Sequence, residues 1–182
     1  MGCPNSSSGK ARAVMTLREA RPEDALAVAR VHVRSWQTAY RGVIPDAYLD
    51  NLKAEDRAGR YTFGCCDPGA PLTIVATEEN DVLGFVTIGS SRDEDPSQAG
   101  EIFALYVDPS RLGSGLGRSL MSEAKNRLYG QGFDNAVLWV LLENERALRF
   151  YRADGWIPNH AVRDREVWGV MISETRYRRR LP

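Results

Sequence analysis

The stretch that decides the fold is Tyr106-Val-Asp-Pro-Ser-Arg-Leu-Gly-Ser-Gly-Leu-Gly-Arg118. It begins as an apolar run that predicts a buried strand, passes through a glycine-rich turn after Asp108-Pro109, and leads into a helix. A turn that opens a helix presents unpaired backbone N–H groups and a partial positive charge, which favours phosphate. The glycines at 113, 115 and 117 would let the backbone approach such an anion closely.

Three other interpretations of this turn are open. The dinucleotide-binding pattern G-x-G-x-x-G is matched only in part, because the position of its last glycine, counted from Gly113, is Arg118. A Walker loop requires G-x-x-x-x-G-K-[ST], and no lysine stands in the required place. The remaining interpretation is a helix that starts with tight turns and binds nothing.

The flanking sequence predicts a mixed α/β domain without internal repeats. Pro22, followed by two acidic residues, is typical of a helix start, and Gly42 of a helix end. The predicted strands cover 16–20, 72–77, 82–89, 101–107, 135–142 and 167–173; the predicted helices cover 22–42, 45–52, 55–61, 115–130 and 145–153. The strand over 101–107 is apolar on both faces after Glu101, so we expect it to be central in the sheet.

A second motif lies about thirty residues further on, in Val140-Leu-Leu-Glu-Asn-Glu-Arg-Ala-Leu-Arg-Phe-Tyr-Arg-Ala-Asp-Gly-Trp156. Together the two stretches resemble the GNAT N-acetyltransferase superfamily, which pairs D-P-x-x-[QR]-G-x-G-x-G with N-x-x-A-x-x-[FL]-Y-x-x-x-G-[FW]. The resemblance covers nearly all of the chain from Thr16 onward. The matching residues are Asp108, Pro109, Gly113, Gly115, Gly117, Asn144, Ala147, Phe150, Tyr151, Gly155 and Trp156.

The resemblance implies a central, mostly antiparallel mixed sheet that is flanked by helices and splayed after the fourth strand, and acetyl-CoA as co-substrate. The backbone of Leu105, Tyr106 and Val107 would pair with the pantetheine amides. One backbone N–H there would face the thioester carbonyl, and its hydrogen bond to the developing oxyanion would lower the reaction barrier by about 3 kcal/mol. Asn144 would touch the pantetheine arm. The residues expected at the pyrophosphate are Leu112, Gly113, Ser114, Gly115, Leu116, Gly117 and Arg118. Leu112 replaces the family's Gln or Arg, so any side-chain contact from that position is lost.

Two residues are candidates for catalysis. Tyr151 matches the family tyrosine that would protonate the departing thiolate; the alternative is a tyrosine packed beside Phe150. Glu101 opens the central strand and could take a proton from the amine directly or through water. The alternative for Glu101 is a strand-end carboxylate in solvent.

Other residues have competing interpretations. Trp36 and Tyr40 lie on the apolar face of the first helix, which predicts that they pack in the core. The alternative is that they contact the acceptor, because the first helices of the superfamily form a wall of the acceptor pocket. His32 near Trp36 is expected to be structural. The acidic run 93–95 is expected to be a solvated loop, and Arg176–Arg180 a solvated strand end and tail.

The composition narrows the choice of partners. Lys plus Arg and Asp plus Glu number 24 each, so the net charge is zero, which gives no reason to expect nucleic acid or a membrane surface. No His/Cys/Asp cluster has ligand spacing, so no metal is expected. Cys3, Cys65 and Cys66 do not suggest a disulfide framework, which favours a cytoplasmic location. Residues 1–14 are polar and predict a disordered tail ahead of an N-acetyltransferase domain over 15–182.

The sequence therefore predicts an enzyme that transfers the acetyl group of acetyl-CoA to a primary amine by direct attack in a ternary complex. The acceptor, whether a small molecule or a peptide or protein amine, is open. A homodimer is open too, because members of the superfamily are often dimers. The alternative from another class is a non-enzymatic acyl-CoA sensor, which would need the glycine turn but not Tyr151.

Overall fold

The fold is known from a computed structural model that describes residues 14–65, 67, 69–93, 98–167 and 170–182. Within these residues it has seven strands and five helices. The strands are β1 Met15–Glu19, β2 Leu72–Glu78, β3 Asp81–Ser90, β4 Gly100–Val107, β5 Asn135–Leu141, β6 Ile157–Val167 and β7 Val170–Arg180. The helices are α1 Ala25–Ala39, α2 Asp46–Asp50, α3 Ala54–Ala58, α4 Leu116–Gly130 and α5 Glu145–Ala153, with 3-10 turns at Pro22–Asp24 and Pro109–Arg111.

One mixed sheet organises the fold, in the strand order β1-β2-β3-β4-β5-β7-β6. Only β4 and β5 run parallel, and every other neighbouring pair is antiparallel. This confirms the predicted mixed, mostly antiparallel sheet and the central position of β4.

The sheet opens between β4 and β5. These strands pair only where Gly100–Ile102 meets Ala136–Leu138, although β4 continues to Val107. On its other side β4 carries a register shift against β3, because Thr87 faces Ala104 while Ile88 faces Ile102, which leaves Phe103 as the extra residue. A bulge of this kind bends a strand, so Phe103 helps to turn the end of β4 away from β5.

The two faces of the sheet are covered by different helices. A stripe of residues spaced four apart on α4 is buried against the sheet and consists of Leu116, Leu120, Ala124 and Leu128. On the opposite face, Val28 and Val31 of α1 pack on Val75 and Phe85. The opening between β4 and β5 therefore lies between α1 on one side and α4 and α5 on the other.

The C-terminal part of the chain corrects the sequence prediction. A single strand over 167–173 is wrong, because β6 and β7 form a long hairpin at the edge of the sheet. Arg176–Arg180 is not a solvated tail: it belongs to β7, pairs with β5, and contains the buried Arg176. The arginines at 176, 178, 179 and 180 hid this strand, since their polar character masks the period of two by which strands are recognised.

Some predictions fall on residues outside the described part of the chain. These are the tail up to residue 13, Cys3, Cys66, and Glu94 and Asp95 of the acidic run. Asp93 is described and is not solvated, because its carboxylate accepts hydrogen bonds from Trp139 Nε1 and Arg176 Nη1, each at 3.0 Å. None of the helices in the described ranges has the length and apolar character needed to span a membrane.

Candidate active site

A cleft of about 550 Å³ runs from the glycine turn to the opening of the sheet. It is bounded by α1, the end of β4, the start of α4 and one face of α5. The lining residues are Ser35, Thr38, Ala39, Leu105, Val107, Pro109, Arg111, Leu112, Gly113, Gly115, Gly117, Arg118, Asn144, Arg146, Ala147, Phe150 and Tyr151.

The glycine turn needs glycine at two positions for conformational reasons. Gly113 and Gly115 have φ angles of 81° and 89°, a region that other residues rarely adopt. Gly117 has no such constraint, since a Cβ there would make ordinary van der Waals contacts of 3.6 Å with Phe150 Cε2 and 3.7 Å with Val107 Cγ2. The first N–H groups of an α-helix lack intrahelical partners, so the start of α4 offers donors and a positive dipole end to an anion in the cleft.

Asp108 fixes the entry into this turn. Its side chain accepts hydrogen bonds from the backbone N–H of Ser110 at 3.0 Å and from the Ser110 hydroxyl at 2.6 Å. It also accepts from Nε of Arg34 at 2.9 Å. Burial alone would raise the pKa of Asp108, but the bonds from Ser110 and Arg34 outweigh it and lower the pKa. Asp108 is therefore held as an anion that joins the turn to α1.

The end of β4 contributes alternate side chains to the two faces of the sheet. Leu105 and Val107 line the cleft. The Tyr106 side chain points away from it, stacks on His32 with ring centroids 4.4 Å apart, and accepts a hydrogen bond from Trp36 Nε1 at 2.9 Å. Because β4 has left β5 before this point, its edge along the cleft is available to pair with an extended ligand.

The second motif forms α5 with a defined start and end. Asn144 is its N-cap, accepting from the Ala147 N–H at 3.1 Å through Oδ1. At the other end, the Trp156 N–H donates to the Tyr151 carbonyl, and the Gly155 N–H donates to the Arg152 carbonyl. These two bonds form a Schellman motif, in which Gly155 adopts a φ of 83°. Asn144 and Tyr151 both line the cleft, as their spacing of nearly two turns predicts.

Tyr151 lies at the inner end of the cleft in a poorly solvated environment. Its ring makes an edge contact with Phe150 at 5.4 Å between centroids. Burial, and then the neighbouring Tyr106 hydroxyl, raise the pKa of Tyr151 well above its ordinary value. The phenol is therefore protonated at neutral pH and can donate a proton.

Glu101 does not behave as a strand-end carboxylate in solvent. Its side chain is 1% exposed. One oxygen accepts from Arg92 N–H at 3.0 Å and the other from Arg92 Nη2 at 2.7 Å. Both oxygens thus accept hydrogen bonds from Arg92, the second residue of the β3–β4 loop, and this ion pair compensates the buried carboxylate.

Trp36 and Tyr40 are buried at the end of α1, in contact with each other at 4.7 Å between ring centroids. His32 accompanies them, with Nδ1 2.8 Å from the Tyr61 hydroxyl. Burial, with a smaller contribution from the charge of Arg57, holds the pKa of His32 well below its ordinary value, so the imidazole is neutral. None of these three residues lines the cleft.

The structure brings nine of the predicted site residues together and leaves the other six outside the cleft lining, namely Trp36, Tyr40, Glu101, Tyr106, Ser114 and Leu116. Leu105, Val107, Leu112, Gly113, Gly115, Gly117, Arg118, Asn144 and Tyr151 meet at the cleft. Ser114 and Leu116 line a second cavity on the opposite side of the turn. Sequence reasoning missed the α1 wall of Ser35, Thr38 and Ala39, whose small side chains carry no chemical signal; their spacing along one helix face is the only hint.

Comparison with known proteins identifies the family to which the chain is similar. A family model described as the acetyltransferase (GNAT) family matches residues 31–156. A Bacillus subtilis (strain 168) protein named uncharacterized N-acetyltransferase YuaI is 31% identical over 162 residues, or 88% of this chain and 90% of that protein. A mycothiol acetyltransferase of Kocuria rhizophila is 36% identical over 107 residues, but this similarity spans only 33% of its length.

Solved structures show the same fold. The PaiA N-acetyltransferase of Thermoplasma acidophilum, in complex with coenzyme A, superposes with a TM-score of 0.69 at 19% identity, covering 92% of this chain and 99% of that one. YncA of Salmonella typhimurium, a protein solved with acetyl-CoA, gives 0.67 at 21% identity, covering 92% and 94%. The family match and the B. subtilis relative together establish that this chain belongs to the GNAT family of acetyltransferases.

Proposed function

We propose that this protein transfers the acetyl group of acetyl-CoA to a primary amine by direct attack within a ternary complex. The observation that carries the proposal is the continuity of the cleft. It joins an anion-binding helix start, an open strand edge and a buried phenol in one cavity.

The residues at the cleft fit acetyl-CoA, which would supply the reactive thioester. The turn at Gly113–Gly117 has the backbone donors for a pyrophosphate, with Arg118 and Arg146 adding positive charge beside it. Leu105 and Val107 offer the edge of β4 to the amides of a pantetheine arm, and a backbone N–H there can face the thioester carbonyl.

Tyr151 is the proposed proton donor to the leaving sulfur. The raised pKa keeps the phenol protonated before reaction but also makes it a weaker acid. The proposed role therefore rests on the position of Tyr151 in the lining of the cleft, not on its pKa. Glu101 is the proposed base, directly or through water. In that role its ion pair with Arg92 has to open, because both carboxylate oxygens are engaged.

The acceptor is an amine whose identity the cleft does not specify. The names of the relatives do not identify the acceptor of this protein, because the mycothiol acetyltransferase of K. rhizophila is about three times longer than the matched region. The test is thiol release from acetyl-CoA with a panel of polyamines, amino acids, aminoglycosides and peptide N-termini, with mass spectrometry of the product. Amine-dependent release with N-acetylated product supports the proposal; binding of acetyl-CoA without turnover on any amine favours the acyl-CoA sensor.

A further inference from the structure

The carboxylate of Asp154, at the C-terminal end of α5, collects donors from three parts of the fold. Lys125 Nζ of α4 donates to both of its oxygens, at 2.9 and 2.8 Å. Trp156 Nε1, from the turn after α5, donates at 3.0 Å. Arg179 Nη1 of β7 donates at 3.4 Å. These four residues are called the Asp154 hub below.

The position of Asp154 is unfavourable for α5 taken alone. The C-terminal end of a helix carries a partial negative charge, which disfavours a carboxylate there. The charges of Lys125 and Arg179 oppose this effect. The Lys125 side chain is 11% exposed and that of Asp154 23%, so their ion pair is screened less than a pair on the surface. The hub therefore joins the end of α5 to α4 and β7, at a local cost to the helix.

Gly155 leaves room for one arm of the hub. A Cβ at this position would lie 2.7 Å from Nη1 of Arg179, which is closer than side-chain atoms approach each other. Any side chain there would therefore push the guanidinium away from Asp154. The glycine of the second motif thus serves both the turn that ends α5 and the contact of that turn with β7.

Tyr151 is tied to the hub through its backbone and through its ring. Its carbonyl accepts hydrogen bonds from the N–H groups of Asp154 at 3.1 Å and Trp156 at 3.0 Å. The indole of Trp156, whose Nε1 is bonded to Asp154, makes an edge contact with the Tyr151 ring at 6.3 Å between centroids. The hub thus holds the backbone and one side of the ring of a residue that lines the cleft.

The hub can affect the reaction only through the residues that it holds, because its own side chains lie outside the cleft lining. The start of α5 is fixed separately by the cap at Asn144, and its middle by Leu148 in the core. Loss of the hub should therefore release the last turn of α5, which carries Tyr151, and leave the rest of the helix in place. A misplacement of about 1 Å can lower a rate by about 100-fold.

We infer that Asp154 is a positioning residue that holds the Tyr151 hydroxyl in the cleft. The inference rests on the proposed function, because it acts through the proton donor proposed there. Asp154→Asn keeps the size of the side chain but turns an amide NH2 group toward the donors of the hub. It should lower kcat about 10-fold, with a smaller change in KM for acetyl-CoA.

Two variants of Lys125 and one control complete the set. Lys125→Met removes the cation and should show the same pattern as Asp154→Asn, whereas Lys125→Arg keeps the cation and should retain most of the turnover. Glu123→Gln is the matched control, because it removes an ion pair with Arg127 on the same helix, outside the cleft lining.

A double-mutant cycle with Tyr151→Phe separates positioning from a merely structural role. Turnover is measured with the amine of the panel that gives the highest rate, and stability as the melting temperature by circular dichroism. If Asp154 acts through the Tyr151 hydroxyl, Asp154→Asn should have little further effect on kcat in the Tyr151→Phe background. The loss of melting temperature should be the same in both backgrounds.

Multiplicative losses of kcat in the double variant would overturn the inference and leave the proposed function standing. So would wild-type kcat in a folded Asp154→Asn variant. Lys125→Met takes its place in the cycle if Asp154→Asn does not fold. A Tyr151→Phe variant with normal kcat, or a wild type without turnover on any amine, would instead overturn the proposed function and the inference with it.

Discussion

Arg34 on α1 and Asp108 at the end of β4 lie 74 positions apart in the sequence, yet Arg34 donates from both Nε and Nη2 to one carboxylate oxygen of Asp108. The other oxygen of Asp108 holds Ser110. One carboxylate therefore sets the glycine turn and joins it to the helix that forms the opposite wall of the cleft. Ser35 strengthens the same junction by donating to the Val107 carbonyl at 3.0 Å.

Asp108→Ala should weaken acetyl-CoA binding more than it lowers turnover. The bonds to Ser110 are lost and the turn is no longer held against α1, so KM for acetyl-CoA should rise about 10-fold, corresponding to roughly 1.4 kcal/mol. Asp50→Ala is the matched control, because it removes an Arg–Asp pair with Arg41 away from the cleft. Steady-state kinetics in which both variants leave KM unchanged would contradict a positioning role for Asp108.

Gly115→Asp should abolish acetyl-CoA binding. The new side chain would stand at the anion site, and its charge would repel phosphate. Gly132→Asp is a control with similar backbone strain, since Gly132 has a φ of 92° and lies just beyond the other end of α4. Calorimetry in which Gly115→Asp binds as tightly as Gly132→Asp would remove the phosphate site from the glycine turn.

Glu101→Gln should lower kcat and alter the acidic limb of the rate–pH profile, with little change in acetyl-CoA affinity. The amide cannot accept a proton from the amine. Arg92→Gln is the comparison, because it opens the same ion pair but keeps the carboxylate, so turnover should persist. If both variants reduce the melting temperature and turnover to the same extent, Glu101 only anchors the β3–β4 loop.

The pKa of His32 should make the protein sensitive to mild acid. The neutral imidazole is favoured in the fold, whereas in the unfolded chain His32 binds a proton below about pH 6.5. Stability from this group is therefore complete above that pH and falls as pH drops toward the lowered folded pKa, by up to about 1.4 kcal/mol per pH unit.

His32→Gln should remove part of this acid sensitivity while keeping a polar partner for Tyr61. Urea unfolding at pH 7.5 and 5.5 measures it. The wild type should lose about 1 kcal/mol more than the variant between the two conditions. An identical loss in the two proteins would show that His32 is already protonated in the fold.

Local signals explain how much of the site was predictable. The glycine turn and the helix over 145–153 are each specified by residues close in sequence, and both appear as predicted. The N-cap at Asn144 and the Schellman end at Gly155 are local features of the same helix. The partner of Glu101 was not predictable, because Arg92 reaches it only when the β3–β4 loop folds back.

The direction of the Tyr106 side chain and the β6–β7 hairpin were also beyond local reasoning. Tyr106 faces α1 because β4 carries the bulge at Phe103, and one extra residue reverses the faces of those that follow. In β6, Pro158 and the positive φ of 64° at His160 interrupt the alternation that identifies a strand. Both features depend on pairing with a distant strand.

Turnover by Tyr151→Phe, measured as amine-dependent release of CoA thiol beside the wild type, tests the central claim most directly. The wild type should release thiol only with an amine present. The variant should lose roughly 100-fold in kcat at an unchanged melting temperature, because it lacks only the proton donor and keeps the ring beside Phe150. A wild type without amine-dependent turnover, or a variant with normal kcat and a lowered melting temperature, would contradict a catalytic role for this cleft.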